Sequence, residues 1–385
     1  MTASMGPQVI FNYLIAMGHH NASDLYITVG KPAILRSEDN MITISDSVMD
    51  AEGINEILSA ILTTRQKREF ETTMELNTAL DMGEHGRFRV NVLRQRQAPA
   101  LVIRRIISTI PKFEELRLPP LFGELAMERR GLVLITGMTG SGKTTTLASM
   151  VDHRNSLEEG HIVTIEDPIE YFHQHKKAVI TQREVGVDTE SYSIAMKNAL
   201  RQRPDVILVG EIRDREVMEQ ALAIAETGHL CLATIHTNNS YQAIERIVNL
   251  FPEDYAPQIR LNLSLNLKAI ISQRLIKGVD DLLVPAIEVM INQGFVRELI
   301  QKGEIGKIKD VMEQNISNGM CTFDQYLLKL YRAGLVSEDT VIVNADKPSE
   351  MKVKMQQTKL SDAETKEGEG ILSSMDTSDF SLSEQ

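Results

Sequence analysis

Tryptophan is missing from this chain of 385 residues, and aromatic residues make up only 5% of it. Proteins that bind single-stranded nucleic acid stack its bases on aromatic side chains, so such platforms are scarce here. The formal net charge of −12 also argues against a surface that grips nucleic acid over its whole extent. We therefore expect no nucleic-acid partner, although the composition also allows a local basic channel.

Cysteine is nearly absent as well, since Cys231 and Cys321 lie far apart and form no Cys-x-x-Cys pair. A disulfide framework is thereby excluded and a cysteine zinc site is disfavoured, as expected in a reducing cytoplasm. No apolar run is long enough to span a bilayer. The start of the chain lacks the basic, apolar and small-residue pattern of a signal peptide. We expect a cytoplasmic protein that reaches any membrane through a partner.

A hydrophobic content of 42% is typical of a soluble globular protein, and the length suits two domains plus a tail. Residues 1–110 mix a strand-like segment, a long helical pattern and three more strand-like segments joined in part by a glycine-bracketed hairpin at 83–86. We predict an α+β domain with a mostly antiparallel sheet. Its elements are a strand at 24–29, a helix at 49–72, and strands at 76–82, 86–94 and 100–107.

Residues 111–120, which end in Pro119-Pro120, are predicted to be a linker. Beyond it, apolar strands at 132–135, 162–165, 206–209 and 230–235 alternate with helices, a pattern typical of a parallel sheet covered on both faces. After Pro252 the chain is predicted to be largely helical to about residue 343, including a hydrophobic stretch at 282–291. We place this α/β domain with its C-terminal helical region at 121–345. The polar, acidic residues 346–385 are predicted to be mostly disordered, with Ile371-Leu372 and Phe380 as apolar islands for a short docking segment.

The most specific motif is Gly137-Met138-Thr139-Gly140-Ser141-Gly142-Lys143-Thr144, which matches the phosphate-loop pattern G-x-x-x-x-G-K-[ST]. It follows an apolar strand and precedes a helix that begins near Thr145. Its backbone N–H groups and the helix dipole favour phosphate, Lys143 would reach the β- and γ-phosphates, and Thr144 would ligate Mg²⁺. The plainer alternative is a glycine-rich turn. We infer that residues 137–145 bind ATP with Mg²⁺.

Two acidic segments follow at the ends of predicted strands. The first is Thr164-Ile165-Glu166-Asp167-Pro168-Ile169-Glu170, for which the plainer alternative is a solvated acidic turn. The second is Asp205-Val206-Ile207-Leu208-Val209-Gly210-Glu211-Ile212-Arg213-Asp214, with Gly210 where many ATPases carry Asp. Carboxylates at the carboxyl edge of a parallel sheet face the ligand crevice. Glu166 and Glu211 therefore compete as general base. We favour Glu166 for polarising the attacking water and Glu211 for the metal side.

Histidines bracket the strand at 230–235, with His229 before it and His236 after it. A histidine beside a strand is commonly structural, but the pair next to Thr227-Gly228 and Thr237-Asn238 suggests a polar sensor of the γ-phosphate.

Arginines cluster on the later strands of the first domain. Arg87, Arg89 and the pair Arg94/Arg96 keep the period-two spacing of one strand face, which a solvated basic face would also explain. The sharper hypothesis is that this face supplies arginines to the phosphates, in the same chain or in a neighbouring subunit. The candidates are Arg89, Arg94, Arg96 and Arg105.

Together these segments resemble the type II/type IV secretion ATPase superfamily: a phosphate loop, an aspartate box at 164–170, an atypical Walker B segment at 205–214 and a histidine box at 225–237. Residues 182–186 and 199–204 also match, and the similarity runs from about residue 22 to residue 335. The extra N-terminal domain and tetracysteine motif of assembly ATPases are missing, so the chain resembles the shorter pilus-retraction branch, the PilT/PilU family.

Within that branch, PilT-type members carry Ala-Ile-Arg-Asn-Leu-Ile where this chain has Phe295-Val296-Arg297-Glu298-Leu299-Ile300. This departure and the long polar tail favour the accessory PilU-type members and put stand-alone retraction in doubt.

The resemblance implies a PAS-like α+β N-terminal domain followed by a RecA-like P-loop ATPase domain, with ATP between them, assembled as a homo-hexamer. It places Glu166 and His229 near the γ-phosphate. Implied partners are a PilT-like paralogue and the inner-membrane pilus platform protein, at whose cytoplasmic face the ring would work. The alternatives are a stand-alone PilT-like motor, a RecA-like nucleic-acid motor, and a partner that binds ATP without hydrolysing it. A kinase is disfavoured, because no acceptor-binding segment is evident.

Overall fold

The computed structural model describes residues 7–37, 40–106, 109–315 and 319–357. The chain divides into two compact units, Met1–Ile110 with Ile169–Phe172 and Pro111–Pro168 with His173–Gln385. The chain thus returns to the first unit for four residues, and we call Ile169–Phe172 the strap. Within the described ranges, no helix has both the length and the apolar character needed to cross a bilayer.

The first unit is a six-stranded antiparallel sheet with helices against one face. The strand order is β3-β2-β1-β6-β5-β4. Alternate residues Phe88, Val90 and Val92 are fully buried in one core with residues of the helices, as the period of a strand requires. The predicted α+β fold is confirmed. Its elements are α1 (Pro7–His19), β1 (Asp24–Thr28), β2 (Ile34–Ser37), β3 (Asn40–Thr43), α2 (Ala51–Ile61), α3 (Thr64–Thr73), β4 (Glu75–Asp81), β5 (Arg87–Gln95) and β6 (Ala98–Ile106).

The single helix predicted at 49–72 is wrong, because Leu62 is extended and separates α2 from α3. Thr63 caps α3 through a reciprocal pair: its hydroxyl accepts from Gln66 N at 3.3 Å, and Gln66 Oε1 accepts from Thr63 N at 2.9 Å. A threonine followed three residues later by glutamine is the signature of such a capping box.

The arginines of the first unit do not share one face, contrary to the prediction. Arg87 and Arg89 alternate with the buried residues of β5. Arg94 instead continues the even-numbered series of the buried Phe88, Val90 and Val92, and its guanidinium lies over the Phe70 ring at 5.3 Å. Arg96 (φ 51°) is the first of two left-handed turn residues between β5 and β6. Arg105 lies opposite Phe88 in register. The hairpin turn interrupts the alternation, so the spacing between Arg94 and Arg96 says nothing about a common face.

The second unit is a seven-stranded sheet of order β13-β12-β7-β11-β10-β8-β9, parallel except for β13. Separate apolar clusters lie on its two sides, so helices cover both faces as predicted. All four predicted strands are present. The elements are α4 (Leu121–Ala126), β7 (Gly131–Thr136), α5 (Lys143–Leu157), β8 (Gly160–Glu166), β9 (Ala178–Glu184), α6 (Tyr192–Ala199), β10 (Val206–Val209), α7 (Arg215–Glu226), β11 (Leu230–Ile235), α8 (Ser240–Asn249), α9 (Ala256–Asn266), β12 (Leu267–Lys277), β13 (Leu283–Ile291), α10 (Phe295–Lys302), α11 (Ile308–Gln314), α12 (Phe323–Arg332) and α13 (Glu338–Asn344).

The largely helical region predicted after Pro252 is wrong between 267 and 291. There, β12 and β13 form an antiparallel pair, and the 282–291 stretch expected in a helical region is mostly strand. β12 contains three isoleucines, and β13 contains two isoleucines and two valines, which are strand signals. The connection between them contains Gly278, a turn signal.

Disorder was predicted from residue 346, but residues 348–357 are helical, with Met351 and Met355 buried. The Asp346 carboxylate pairs with Arg274 at 3.2 Å and with Lys309 at 3.0 Å. These contacts fix the chain where the polar composition suggested a free tail. The apolar islands Ile371-Leu372 and Phe380 lie outside the described residues.

Candidate functional site

The phosphate loop connects β7 to α5 and adopts a backbone that its glycines permit. Gly137 (φ 151°) and Gly142 (φ 86°) are left-handed or beyond, where a side chain is strained. A Cβ on Gly137 would lie 2.3 Å from the carbonyl oxygen of Gln273, and one on Gly142 would lie 2.8 Å from Gln273 Nε2. Both glycines are therefore required by conformation and by the close approach of β12.

Lys143 is buried and donates from Nζ to the carbonyl oxygens of Gly137 and Met138, both at 2.9 Å. Phosphate oxygens are stronger acceptors for an ammonium group than neutral carbonyls. Ser141 Oγ is buried and has no hydrogen-bond partner within the described part of the chain, so a hydroxyl donor is also available in the cradle. Thr144 and Thr145 are half-buried in the first turn of α5. These features fit a bound triphosphate.

The parallel strands bring four predicted features to one edge of the sheet. In spatial order, β7 ends at the phosphate loop, β11 at His236, β10 just before Glu211, and β8 at Glu166. With about 4.8 Å between strands, β10 lies about 10 Å and β8 about 14 Å from β7. This edge is the candidate site.

Glu211 is held by two side chains. Arg213 Nε donates to its Oε2 at 2.9 Å, and His236 Nε2 lies 3.1 Å from its Oε1. Arg213 Nη1 also lies 3.3 Å from Asp167 Oδ2, and the hydrogen bond that Arg213 donates to Glu211 raises the pKa of Arg213. Arg213 thus joins the two acidic segments, a role that the sequence motif did not reveal.

Glu166 is more deeply buried, at 7% exposed. Thr164 Oγ1 donates to its Oε1 at 2.7 Å, and Gln182 Nε2 lies 3.3 Å from the same oxygen. Thr164 and Gln182 are partners in the register of β8 and β9. Two uncharged donors therefore hold Oε1 of this carboxylate.

Tyr192 was missed by sequence reasoning. Its hydroxyl would lie 3.0 Å from a Cβ on Gly210, and Glu166 Cα would lie 3.3 Å from that Cβ. Burial first, and then the Asp167 carboxylate, raise the pKa of Tyr192, so the phenol stays neutral. The hydroxyl and the β8 backbone occupy the space of an aspartate side chain, which explains Gly210 in the Walker B segment.

Hydrogen bonds from two strands hold the loop that carries His236. Thr136 Oγ1 donates to Thr237 O at 2.7 Å. Glu288 Oε1, on β13, accepts from Ser240 N at 2.7 Å and from Ser240 Oγ at 2.8 Å. Burial raises the pKa of Glu288. The loop between β11 and α8 is thus tied to both β7 and β13.

His229 lies at the other edge of the sheet. Its carbonyl accepts from Gly131 N at 3.0 Å, and its Nδ1 lies 3.1 Å from Thr227 Oγ1. The length of β11, roughly 20 Å, separates this edge from His236. Within one chain the structure therefore brings His236, but not His229, to the phosphate loop, because residues that precede and follow a strand lie at opposite ends of it.

The described residues contain no group of three or more histidine, cysteine or acidic side chains suited to a metal ion. Mg²⁺ would instead rest on the Thr144 hydroxyl, phosphate oxygens and water, with Glu211 on its outer shell, which is the sparse protein ligation that Mg²⁺ tolerates. The phosphate contacts predicted for Arg89, Arg94, Arg96 and Arg105, which belong to the first unit, stay predictions.

Comparisons with known proteins show which family the chain resembles. Residues 71–283 match the family model described as "Type II/IV secretion system protein". The chain is 43% identical to the type IV pilus ATPase PilU of Pseudomonas aeruginosa over 349 residues, covering 90% of this chain and 91% of that protein. It is 38% identical to the PilT retraction ATPase of the same organism, covering 85% and 95%. A crystal structure of the pilus retraction motor PilT with bound ADP superimposes with a TM-score of 0.82 at 38% identity, covering 89% and 97%.

Proposed function

Because the chain belongs to the type II/IV secretion system protein family, we propose that it is an ATPase that powers type IV pilus retraction and twitching motility. One observation carries the proposal: the phosphate loop, His236, Glu211 and Glu166 lie in order along one sheet edge. A single nucleotide at this edge meets a phosphate cradle, a polar side chain beside the Walker B carboxylate, and two candidate acid–base groups.

In this proposal Lys143 exchanges the Gly137 and Met138 carbonyls for phosphate oxygens, and the first-turn hydroxyls orient the triphosphate. Mg²⁺, held by Thr144 and outer-shell Glu211, neutralises phosphate charge when bound. Glu166 polarises the attacking water, because its carboxylate is buried and restrained by neutral donors. Glu211 is already engaged by Arg213 and His236, which makes it the better organiser and the poorer base.

The accessory, PilU-type role is the finer part of the proposal. Identity is higher with PilU than with PilT. In α10, three positions depart from the PilT-type motif: Phe295 and Glu298 are exposed, and Val296, which replaces isoleucine, is buried. The two larger departures, at Phe295 and Glu298, therefore alter a surface, as expected if this chain meets different partners.

We further propose a homo-hexamer at the cytoplasmic face of the inner membrane that works beside a PilT-like paralogue on the pilus platform protein. In such a ring, His229 and the first-unit arginines would act on a neighbour's nucleotide. Light scattering of the purified protein with ATP tests the subunit number, and a particle of any other size contradicts the hexamer.

Hydrolysis is tested with purified variants. Lys143→Ala should lose nucleotide binding, whereas Glu166→Gln should bind ATP normally and hydrolyse it about 10²- to 10³-fold more slowly, the range seen when one catalytic group is removed. Normal hydrolysis by Glu166→Gln would reject its role as base and direct attention to Glu211→Gln.

The cellular role is tested by deleting the gene and restoring either the natural chain or Lys143→Ala, with and without a PilT-like paralogue. Twitching or retraction force should fall unless the natural chain is restored. Unchanged retraction in every background would refute the proposed function.

A further inference from the structure

We propose that Gln182 is a positioning residue that ties Glu166 to the strap, so that one amide side chain couples the nucleotide edge to the segment that crosses into the first unit. The proposal rests on the proposed ATPase function and adds a residue to it. Gln182 belongs to β9, outside the phosphate loop and the acidic segments.

Both ends of the Gln182 amide are used. Its Nε2 lies 3.3 Å from Glu166 Oε1, and its Oε1 accepts from the backbone N of His173 at 2.8 Å. The second bond fixes the orientation of the amide, because a backbone N–H needs an acceptor and only the oxygen supplies one. The nitrogen must then point to the carboxylate.

The strap lies in the chain between the two groups that Gln182 contacts. It begins three residues after Glu166 and ends at Phe172, next to the His173 amide that Gln182 holds. Inside the first unit, the guanidinium of Arg87 lies over the Phe172 ring at 4.3 Å. A cation over an aromatic face at this distance is attractive. Phe172 thus contacts Arg87, and the next residue along the chain, His173, is hydrogen-bonded to Gln182.

The residue after the strap, His173, carries an uncharged imidazole. Burial lowers the pKa of His173 to about 4, so its imidazole is neutral near pH 7 and packs as an uncharged group. The Gln182 bond to Glu166 is longer than its bond to the His173 backbone, at 3.3 Å against 2.8 Å. When the Glu166 carboxylate shifts toward water and phosphate, we expect its hydrogen bond with Gln182 to change in length. Through the Gln182 bond to the His173 backbone, this change would reach the strap.

Two substitutions separate the two bonds. Gln182→Glu keeps an acceptor for His173 N–H but cannot donate to Glu166 and places a like charge beside it. Gln182→Met has similar length and loses both bonds. Gln293→Met, at an exposed glutamine, is the matched control. We expect kcat to fall at least about tenfold in both Gln182 variants while KM changes less than about threefold, because Glu166 is misplaced without loss of the phosphate cradle.

The strap can be observed directly because the chain has no tryptophan. In a Phe172→Trp reporter, a non-hydrolysable ATP analogue should change the emission, and the change should fall at least about fivefold in Gln182→Met and Gln182→Glu but not in Gln293→Met. Calorimetric titration of the analogue checks that each protein still binds it.

The outcomes are separable. If the natural chain does not bind and hydrolyse ATP, the proposed function fails. If the natural chain and the Phe172→Trp reporter do both, but the reporter shows no emission change or retains the full change in Gln182→Met, the coupling through Gln182 is refuted while the ATPase stands. Parental kcat in both Gln182 variants would refute the positioning role as well.

Discussion

Among single residues, the two carboxylates of the candidate site differ in what restrains them. Glu166 accepts from the neutral groups of Thr164 and Gln182, whereas Glu211 lies against Arg213 and His236. A buried carboxylate held by hydroxyl and amide donors suits the proposed base, and one engaged by a guanidinium and an imidazole suits the proposed organiser of the metal side. We therefore propose the two roles from these contacts as well as from the position of each residue in its motif.

His173 is expected to make stability fall in mild acid. Burial lowers its pKa to about 4 from an ordinary 6.5, so the unfolded chain binds a proton that the folded chain refuses. The stabilisation is complete above pH 6.5 and is lost as the pH falls toward 4. Between pH 7.5 and 5.0 we expect the loss to be about 2 kcal/mol.

Urea denaturation of the natural chain and of His173→Gln, followed by circular dichroism at both pH values, measures this difference. The loss should be smaller by that amount in His173→Gln, and His85→Gln, at an exposed histidine, should behave as the natural chain. Equal losses in all three proteins would show that His173 is protonated in the folded state.

At the scale of elements, the sequence was sufficient wherever local pattern and tertiary packing agree. The four apolar strands of the second unit and the hairpin strands of the first follow directly from periodicity and glycine turns. Prediction failed at β12 and β13, where buried polar residues such as Gln273 interrupt the pattern. It also failed to divide α2 from α3, although the capping residues Thr63 and Gln66 were visible.

The candidate site divides in the same way. Gly137–Thr144, Glu166 and Glu211 belong to segments with recognisable spacing, so their common edge could be anticipated from the sequence. Arg213 lies in the same segment as Glu211, whereas Tyr192 and Gln182 reach that edge only through the placement of α6 and the register of β8 with β9. Contacts between elements distant in sequence leave no local signal. Within one chain, His229 lies at the opposite end of β11 from His236, and its role at a nucleotide stays a prediction.

The helical segment 348–357 supplies a test at this scale. Met355 is completely buried on it, so Met355→Ala should lower the free energy of unfolding by about 2–5 kcal/mol. Lys352→Ala, at an exposed position of the same segment, should change it by no more than about 0.5 kcal/mol. Thermal denaturation compares the two, and a parental melting temperature for Met355→Ala would mean that the segment is not docked in solution.

At the scale of the whole molecule, charge separates this chain from motors that move along nucleic acid. Acidic residues outnumber basic ones by 53 to 41, and tryptophan is absent. A polyanion is attracted to a protein mainly through release of counterions by clustered lysine and arginine, an effect that is strongest at low salt.

Single-stranded DNA or RNA added at low salt should therefore leave the rate of ATP hydrolysis within about twofold of its value without nucleic acid. Heparin, a polyanion without bases, is the control for charge alone. Stimulation by DNA or RNA that heparin does not reproduce, and that fades as salt is raised, would place the chain among nucleic-acid motors despite its net charge.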